Sequence, residues 1–145
     1  MGTTTREELE AFTERQRAAF NAHDPAAVAA LHTTDGVIES PMFATLHGRA
    51  AIEDSHRQFF VSFPDAAITL DTLVIDAPLV AIFLTLRGTH VGEFFGIPGT
   101  QKRVDVAMAR LVKMEDGLIR HERRIYDFTG LLVQIGVLRA KPAKP

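Results

Sequence analysis

Two acids, Asp105 and Asp127, lie on stretches that the sequence folds against each other as a hairpin. Between them, Glu115-Asp116-Gly117 suits a three-residue loop: a type I turn closed by glycine in the left-handed region. That loop sets Met114 opposite Leu118 and Arg110 opposite Glu122, a favourable cross-strand ion pair. A two-residue loop would set Arg110 opposite Arg123, with like charges facing. In the three-residue register Asp105 faces Asp127, and Ala107, Ala109, Leu111, His121, Arg123 and Ile125 share their face. Two facing aspartates in an apolar pocket cannot both stay ionised, so one should keep its proton to higher pH. A carboxyl pair split in this way suits moving a proton beside a carbonyl group. Asp127 and Asp105 are therefore catalytic candidates. Arg123 and His121 are candidates for substrate binding, Arg123 either holding an oxyanion or pairing with an aspartate. Each acid also has a plainer reading: Asp105 exposed at a strand start, and Asp127 capping a helix that begins near Thr129.

His90 is the third catalytic candidate, because a neutral imidazole takes a proton near pH 7. On a strand it shares a face with Gly88 and Gly92, whose missing side chains open space beside it. The same glycines also permit sharp sheet bending, and a strand histidine also serves as a hydrogen-bonded structural residue. Phe43, in the loop after Pro41, is placed to lid the site. Phe60, within Phe59, Phe60 and Phe63 on one helix, is a further substrate-binding candidate, with core packing the plainer role for each phenylalanine.

Other chemistries lack their residues. The six histidines show no His-x-x-x-His or Glu-x-x-His spacing on a predicted helix, so no metal is expected. There is no cysteine, no Gly-x-Ser-x-Gly elbow and no phosphate loop: Gly96-Ile97-Pro98-Gly99 lacks the lysine and serine. The expectation is chemistry with no cofactor.

The elements that must position these residues follow from periodicity. Leu9, Phe12, Ala19 and Phe20 form one helical face, with Thr5 and Glu8 as a capping box. Asp24-Pro25 opens a short second helix through Leu31. Asp35-Gly36 reads as a turn, followed by a short strand at Val37 to Glu39 that Pro41 stops. Gly48 to Phe63 is a third helix, with Ile52, Phe59, Phe60 and Phe63 inward and His56 near the edge of that stripe. Ile68–Ile75, Leu79–Phe94, Lys102–Met114 and Leu118–Tyr126 are β-rich runs, and Thr129 to Gly136 a last helix. Helices first and a strand meander after them is an α+β pattern. A curved antiparallel sheet wrapped by the N-terminal helices forms a cone with an interior cavity, a natural small-molecule site.

The chain has 145 residues, 46% hydrophobic and 23% charged, with a formal charge of −2. These values fit one domain over residues 1–139, followed by an extended tail at 140–145. The absence of a basic field argues against nucleic acid as a partner. No apolar run is long enough to span a bilayer, and the N-terminus has no hydrophobic core for a signal peptide, so the expected place of work is the cytoplasm.

Several motifs, in order, carry a resemblance: Gly48-Arg49-Ala50-Ala51-Ile52, Phe63-Pro64-Asp65, Gly88-Thr89-His90-Val91-Gly92-Glu93-Phe94, Gly96-Ile97-Pro98-Gly99-Thr100, Asp116-Gly117-Leu118-Ile119, Tyr126-Asp127, Gly130-Leu131-Leu132 and Gln134-Ile135-Gly136. Over roughly positions 9 to 138 the chain resembles the SnoaL-like group of the NTF2-like superfamily, which includes polyketide cyclases and ester cyclases. The resemblance implies a conical α+β fold with a ligand cavity, often a homodimer. It also implies cofactor-free intramolecular aldol closure using an aspartate near the chain's end, for which Asp127 and Glu122 are the nearest acids. The chain departs from the group at Ile119-Arg120-His121-Glu122-Arg123-Arg124, where many relatives carry an acid, a histidine and a tryptophan; it has no tryptophan. The expected function is an acid/base cyclase or isomerase acting on a small apolar carbonyl compound. The alternatives are a non-catalytic small-molecule binding protein of the same fold, and an interaction protein using the outer face of the sheet.

Overall fold

The computed structural model describes residues 5–139. Its elements are α1 (Arg6–Asn21), α2 (Pro25–Ala30), β1 (His32–Ser40), β2 (Phe43–His47), α3 (Arg49–Ser62), β3 (Ala67–Asp76), β4 (Leu79–Thr89), β5 (Arg103–Glu115), β6 (Leu118–Tyr126) and α4 (Phe128–Gln134). The predicted tail, 140–145, lies outside the described residues. Among the described residues, no helix is long and apolar enough to cross a membrane.

Local signals set the helix starts. The Glu8 amide donates to the Thr5 hydroxyl, and the Thr5 amide donates back to the Glu8 carboxylate at 3.0 Å, closing the expected capping box. Asp24 caps α2, with Pro25 at its first position, where a missing N–H costs nothing. Gly48 precedes α3 at φ 89°, a conformation that disfavours any residue with a Cβ.

The strands make one curved, open, six-stranded sheet in the order β2-β1-β6-β5-β4-β3. Every neighbouring pair is antiparallel except β1 and β6, which run parallel. Joining the first strand to the last brings the N-terminal helices over the inner face. Along β4 and β5, Val80, Ile82, Leu84, Leu86, Val104, Val106, Val112 and Met114 are buried at alternate positions. They join Leu9 and Phe12 of α1, Phe60 of α3, Phe63 just after it, and Leu131 and Ile135 at α4 in one core. Alternation with period two is what a sheet covered on one face requires.

Four expectations differ from the structure. β4 stops at Thr89 instead of running to Phe94, so His90 and Gly92 lie past its end. Asp35-Gly36 is no turn: β1 runs through it, and its register against β6 breaks between His32 and Val37. A Cβ on Gly36 would sit 3.1 Å from the Thr33 carbonyl oxygen and 3.2 Å from that of Ile119, so glycine serves close approach here. Phe43 lies on an edge strand, β2, instead of a loop. The β5–β6 connection is a two-residue turn, with Asp116 and Gly117 both at positive φ and Glu115 facing Leu118. This is the hairpin turn whose twist matches the strands.

Candidate active site

Past that turn, the register of β5 against β6 shifts between Lys113 and Met114: Met114 faces Ile119, but Lys113 faces His121, leaving Arg120 as the extra residue. Arg110 then faces Arg124, Met108 faces Tyr126 and Val112 faces Glu122. These are the inward side chains. The like-charged pair is held by Glu122, one pleat away on the same face. Its carboxylate accepts from Nε of Arg110 at 3.0 Å, from Nη2 of Arg110 at 2.6 Å and from Nε of Arg124. Nη1 of Arg110 donates to Oε1 of Gln16 at 3.1 Å, which ties β5 to α1.

Two histidines complete this inner end. His56 donates from Nδ1 to the Ile52 carbonyl at 2.8 Å, so its Nε2 is an acceptor, and it faces Nη2 of Arg124 at 3.4 Å. Burial, then the Arg124 charge, lower the His56 pKa to about 3. His32 is fully buried, with Nε2 4.0 Å from Glu122, and burial lowers its pKa to about 4. Both rings are neutral at pH 7. Glu122 is held well below the usual carboxylate range: burial opposes ionisation, but Arg110 and Arg124 outweigh it. Tyr126 meets the Ser40 hydroxyl at 2.9 Å, and burial raises its pKa, so it stays a phenol.

This polar group forms one end of a cavity of about 610 Å³ between the sheet's inner face and the helices. Gln16, His56, Arg110, Arg124 and Tyr126 supply the polar wall; Phe20, Phe59, Leu84, Leu86 and Met108 supply much of the apolar one. Phe43, Phe94 and Phe95 also line it, with Asp54 and Glu93 on the wall. A cavity walled by carbon with a few convergent polar groups suits a small, mostly apolar molecule. Among the described residues, no three histidine, aspartate or glutamate side chains gather to hold a metal ion.

The predicted site residues distribute differently. Asp105 and Asp127 do not face each other. Asp105 lies on the outer face of β5 and pairs with Arg87 at 3.1 Å. Asp127 follows β6 and caps α4, accepting from the Gly130 amide at 2.8 Å. Arg123 and His121 also face outward; His121 meets Glu39 at 2.9 Å. His90 is buried but does not line the cavity: its Nδ1 accepts from the Thr100 amide at 3.3 Å, and its ring packs on Phe63 and Phe94. Phe60 packs in the core, 5.0 Å from the Phe20 ring, while Phe43 does line the cavity.

Sequence reasoning therefore placed the hairpin's chemistry on the outer face, and it missed Arg124, Tyr126, His56, His32 and Gln16. One signal could have found the right face. On β5 the even-numbered residues Val104, Val106, Met108, Val112 and Met114 are uniformly apolar, whereas the odd set holds Asp105 and Lys113. Arg110 belongs to the apolar, inward set.

A cupped sheet closed by helices around such a cavity is the NTF2-like fold. The family model for the SnoaL-like polyketide cyclases matches residues 10–135, and the chain belongs to that family. It is similar to nogalonic acid methyl ester cyclase of Streptomyces nogalater, 41% identical over 59 residues, covering 41% of this chain and 44% of that protein. The chain thus spans under half the length of the curated relatives it matches. Among solved structures, TsrD from Streptomyces laurentii has a TM-score of 0.83 and 27% identity over 92% of this chain and 98% of that one. IdmH from Streptomyces antibioticus, a candidate polyketide cyclase, has a TM-score of 0.74 and 28% identity over 88% of this chain and 98% of that one.

Proposed function

We propose that this chain is a cytoplasmic, cofactor-free cyclase that closes a ring in a polyketide-type carbonyl compound by intramolecular aldol addition. The observation that carries this reading is the Arg124–Tyr126–His56 group at the inner end of an otherwise largely apolar cavity. In the reaction, a proton leaves the carbon between two carbonyls for Nε2 of His56. The enolate carbon then attacks a second carbonyl carbon, forming the C–C bond and an alkoxide, and the imidazolium returns its proton to that alkoxide. No atom is gained or lost. Arg124 and Tyr126 stabilise the oxygen on which charge develops. His56 is by itself a poor base, but an enolate beside it favours the imidazolium, since an opposite charge nearby favours the charged form. In this reading Asp105, Asp127 and His90 are structural, and Phe43 shapes the cavity.

The test is ring closure of a polyketide methyl ester, with nogalonic acid methyl ester, the compound named for its Streptomyces nogalater relative, as the first substrate. Arg124→Gln and Tyr126→Phe should each lower kcat by about a hundredfold, as loss of an oxyanion donor does. Turnover that is unchanged in both folded variants overturns the assignment of the site. One observation favours the alternative, a non-catalytic binding protein: the carboxylate at the inner end, Glu122, is already saturated by two arginines and cannot act as a base. Saturable binding of the ester without conversion would select that reading.

Two copies are proposed to pair through the outer sheet face. Phe83, Leu111 and Ile125 are 45%, 44% and 60% exposed on it. The register sets Phe83, Ala109 and Ile125 side by side on neighbouring strands, which makes a continuous apolar strip. Sedimentation should give a dimer that Ile125→Glu converts to a monomer; a monomeric parent protein would overturn the pairing.

A further inference from the structure

The cavity has a solvent end as well as a buried one. Leu84, Leu86 and Arg110 on its wall are buried, whereas Val61 and Phe95 line it and are 62% and 59% exposed, so these two stand where it opens to water. Val61 lies in the last turn of α3, and Phe95 at the tip of the connection between β4 and β5. That tip is a tight hairpin. Phe94 and Ile97 exchange both backbone hydrogen bonds at 2.9 Å, and the two residues between them, Phe95 and Gly96, have φ of 49° and 77°. Positive φ at both central positions defines a turn that asparagine and glycine suit. A phenylalanine there is a backbone outlier, its Cβ crowded by a carbonyl oxygen. The base of the hairpin is fixed. The amides of Val91 and Gly92 donate to the Ser62 carbonyl at 2.9 and 3.2 Å, and the Ser62 hydroxyl donates to the Glu93 carbonyl. A Cβ on Gly92 would meet the Val61 carbonyl oxygen at 2.2 Å. Phe94 is buried against Phe63 and His90, while the Phe95 ring meets Phe94 and Phe128 edge-on, at 4.8 and 6.1 Å between centroids.

We propose that Phe95 is a specificity-determining residue: the hairpin holds its ring, with Val61, as an apolar rim that grips the part of a substrate emerging from the cavity. This rests on the cavity being the substrate site. Local forces do not account for the ring. Its backbone is strained, and more than half of its surface stays in water, so it gains little from burial. Asparagine would relieve the strain and remove the exposed apolar surface together. A ligand changes that balance, because a ring laid against Phe95 takes its face out of water and adds an aromatic contact. The anchored base presents the rim already in place, so little ordering is left to oppose the contact. The favoured class is a multi-ring substrate longer than the enclosed part of the cavity, with its inner portion at the polar end and its outer ring at the rim. A single-ring molecule lies inside and does not meet Phe95.

The probes are prodan, a neutral two-ring naphthalene ketone whose emission moves to shorter wavelength in apolar surroundings, and acetophenone, a one-ring ketone measured by its displacement of prodan. Phe95→Asn should weaken prodan about fivefold or more, the worth of a lost aromatic contact, and leave acetophenone within about twofold. Without ligand, the same variant should unfold about 2–4 °C higher, because asparagine suits the left-handed backbone. Phe95→Tyr, which keeps the ring, should hold prodan within about twofold of the unaltered protein. Unchanged prodan binding in Phe95→Asn, equal weakening of both probes, or absence of saturable prodan binding by the unaltered protein overturns the assignment. So does a lower unfolding temperature in Phe95→Asn, which would mean that the ring is kept for packing on Phe94 and Phe128. Ring closure of nogalonic acid methyl ester with the rim disproved leaves the cyclase reading standing. Absence of ring closure beside selective weakening of prodan removes the cyclase reading and leaves the rim.

Discussion

Glu122→Gln is the substitution that most directly tests the architecture of the inner end. Glu122 is 0% exposed and accepts from Arg110 at 3.0 and 2.6 Å and from Arg124. Glutamine has nearly the same shape but no charge, and its amide nitrogen would present a donor to guanidinium donors. Arg110 and Arg124, directly opposite each other in the register, would then face one another without a counter-charge. Removing one partner of a buried ion pair costs about 3–5 kcal/mol. Domains of this size have a total stability of roughly 5–15 kcal/mol. The expected thermal midpoint is lower by roughly 6–20 °C, taking about 2–4 °C per kcal/mol.

Urea and thermal unfolding, followed by circular dichroism on the parent and the variant, measure this. The control is the triple variant Arg110→Met, Glu122→Leu and Arg124→Met, which replaces all three charges of the cluster with apolar side chains. It should recover at least half of the loss, because well-packed apolar replacements of buried ion pairs are often neutral or better. The reasoning is refuted if Glu122→Gln lies within about 1 kcal/mol of the parent, the worth of a solvent-exposed pair. Water would then reach the cluster freely.

Two further outcomes follow from the same geometry. His32 and His56 have folded pKa values of about 4 and about 3, below the ordinary 6.5, so the unfolded chain takes up their protons first as pH falls. Stability should be level above pH 7 and fall by roughly 4 kcal/mol between pH 6.5 and 4.5; denaturant titrations across that range should show the slope about halved in His56→Gln, and an unchanged slope would count against its burial as the cause. The depressed Glu122 acts in the same direction at lower pH, its contribution being lost only as pH falls through its folded-state pKa. Asp127→Ala should cost about 1 kcal/mol through the lost α4 cap while leaving ring closure within about twofold. Loss of turnover in a folded Asp127→Ala protein would return the catalytic role to Asp127.

Most of the fold was legible because its signals are local and redundant. Thr5 with Glu8, Asp24 with Pro25, and the β-rich runs after Ala67 each announce one element from neighbouring residues. Edge strand β2 was not legible, since five residues with half-buried or exposed side chains carry little pattern. The site failed at a single step. A two-residue turn in place of three, and one extra residue at Arg120, together shift the register by two residues, so His121 and Arg123 still share a face with Ala109 and Leu111, but that face is the outer one. A two-residue change of register keeps every side chain on its face, so the error lay in choosing the inward face. The Arg110–Glu122 pair was read correctly as a contact but assigned to directly opposite positions. It is a diagonal contact, with Arg124 taking the opposite place. Like charges opposed across a hairpin looked prohibitive because the third group that reconciles them is set by the register being sought.

The same cluster explains why the inner end stays polar when an apolar core would be more stable. Arg110 ties β5 to β6 through Glu122 and to α1 through Gln16, while Arg124 reaches from β6 toward His56 on α3. These contacts hold helices and sheet at the spacing of long polar side chains, and apolar residues of ordinary size would let the layers close on the space now open. A buried ionic cluster of this kind is weak evidence for stability and better evidence for a defined arrangement. A ligand that fills the space held open stabilises the fold by mass action, about 2.7 kcal/mol at a hundred times its Kd. Prodan should therefore raise the unfolding midpoint of the unaltered protein more than that of Phe95→Asn at equal concentration, while acetophenone should raise both by the same amount.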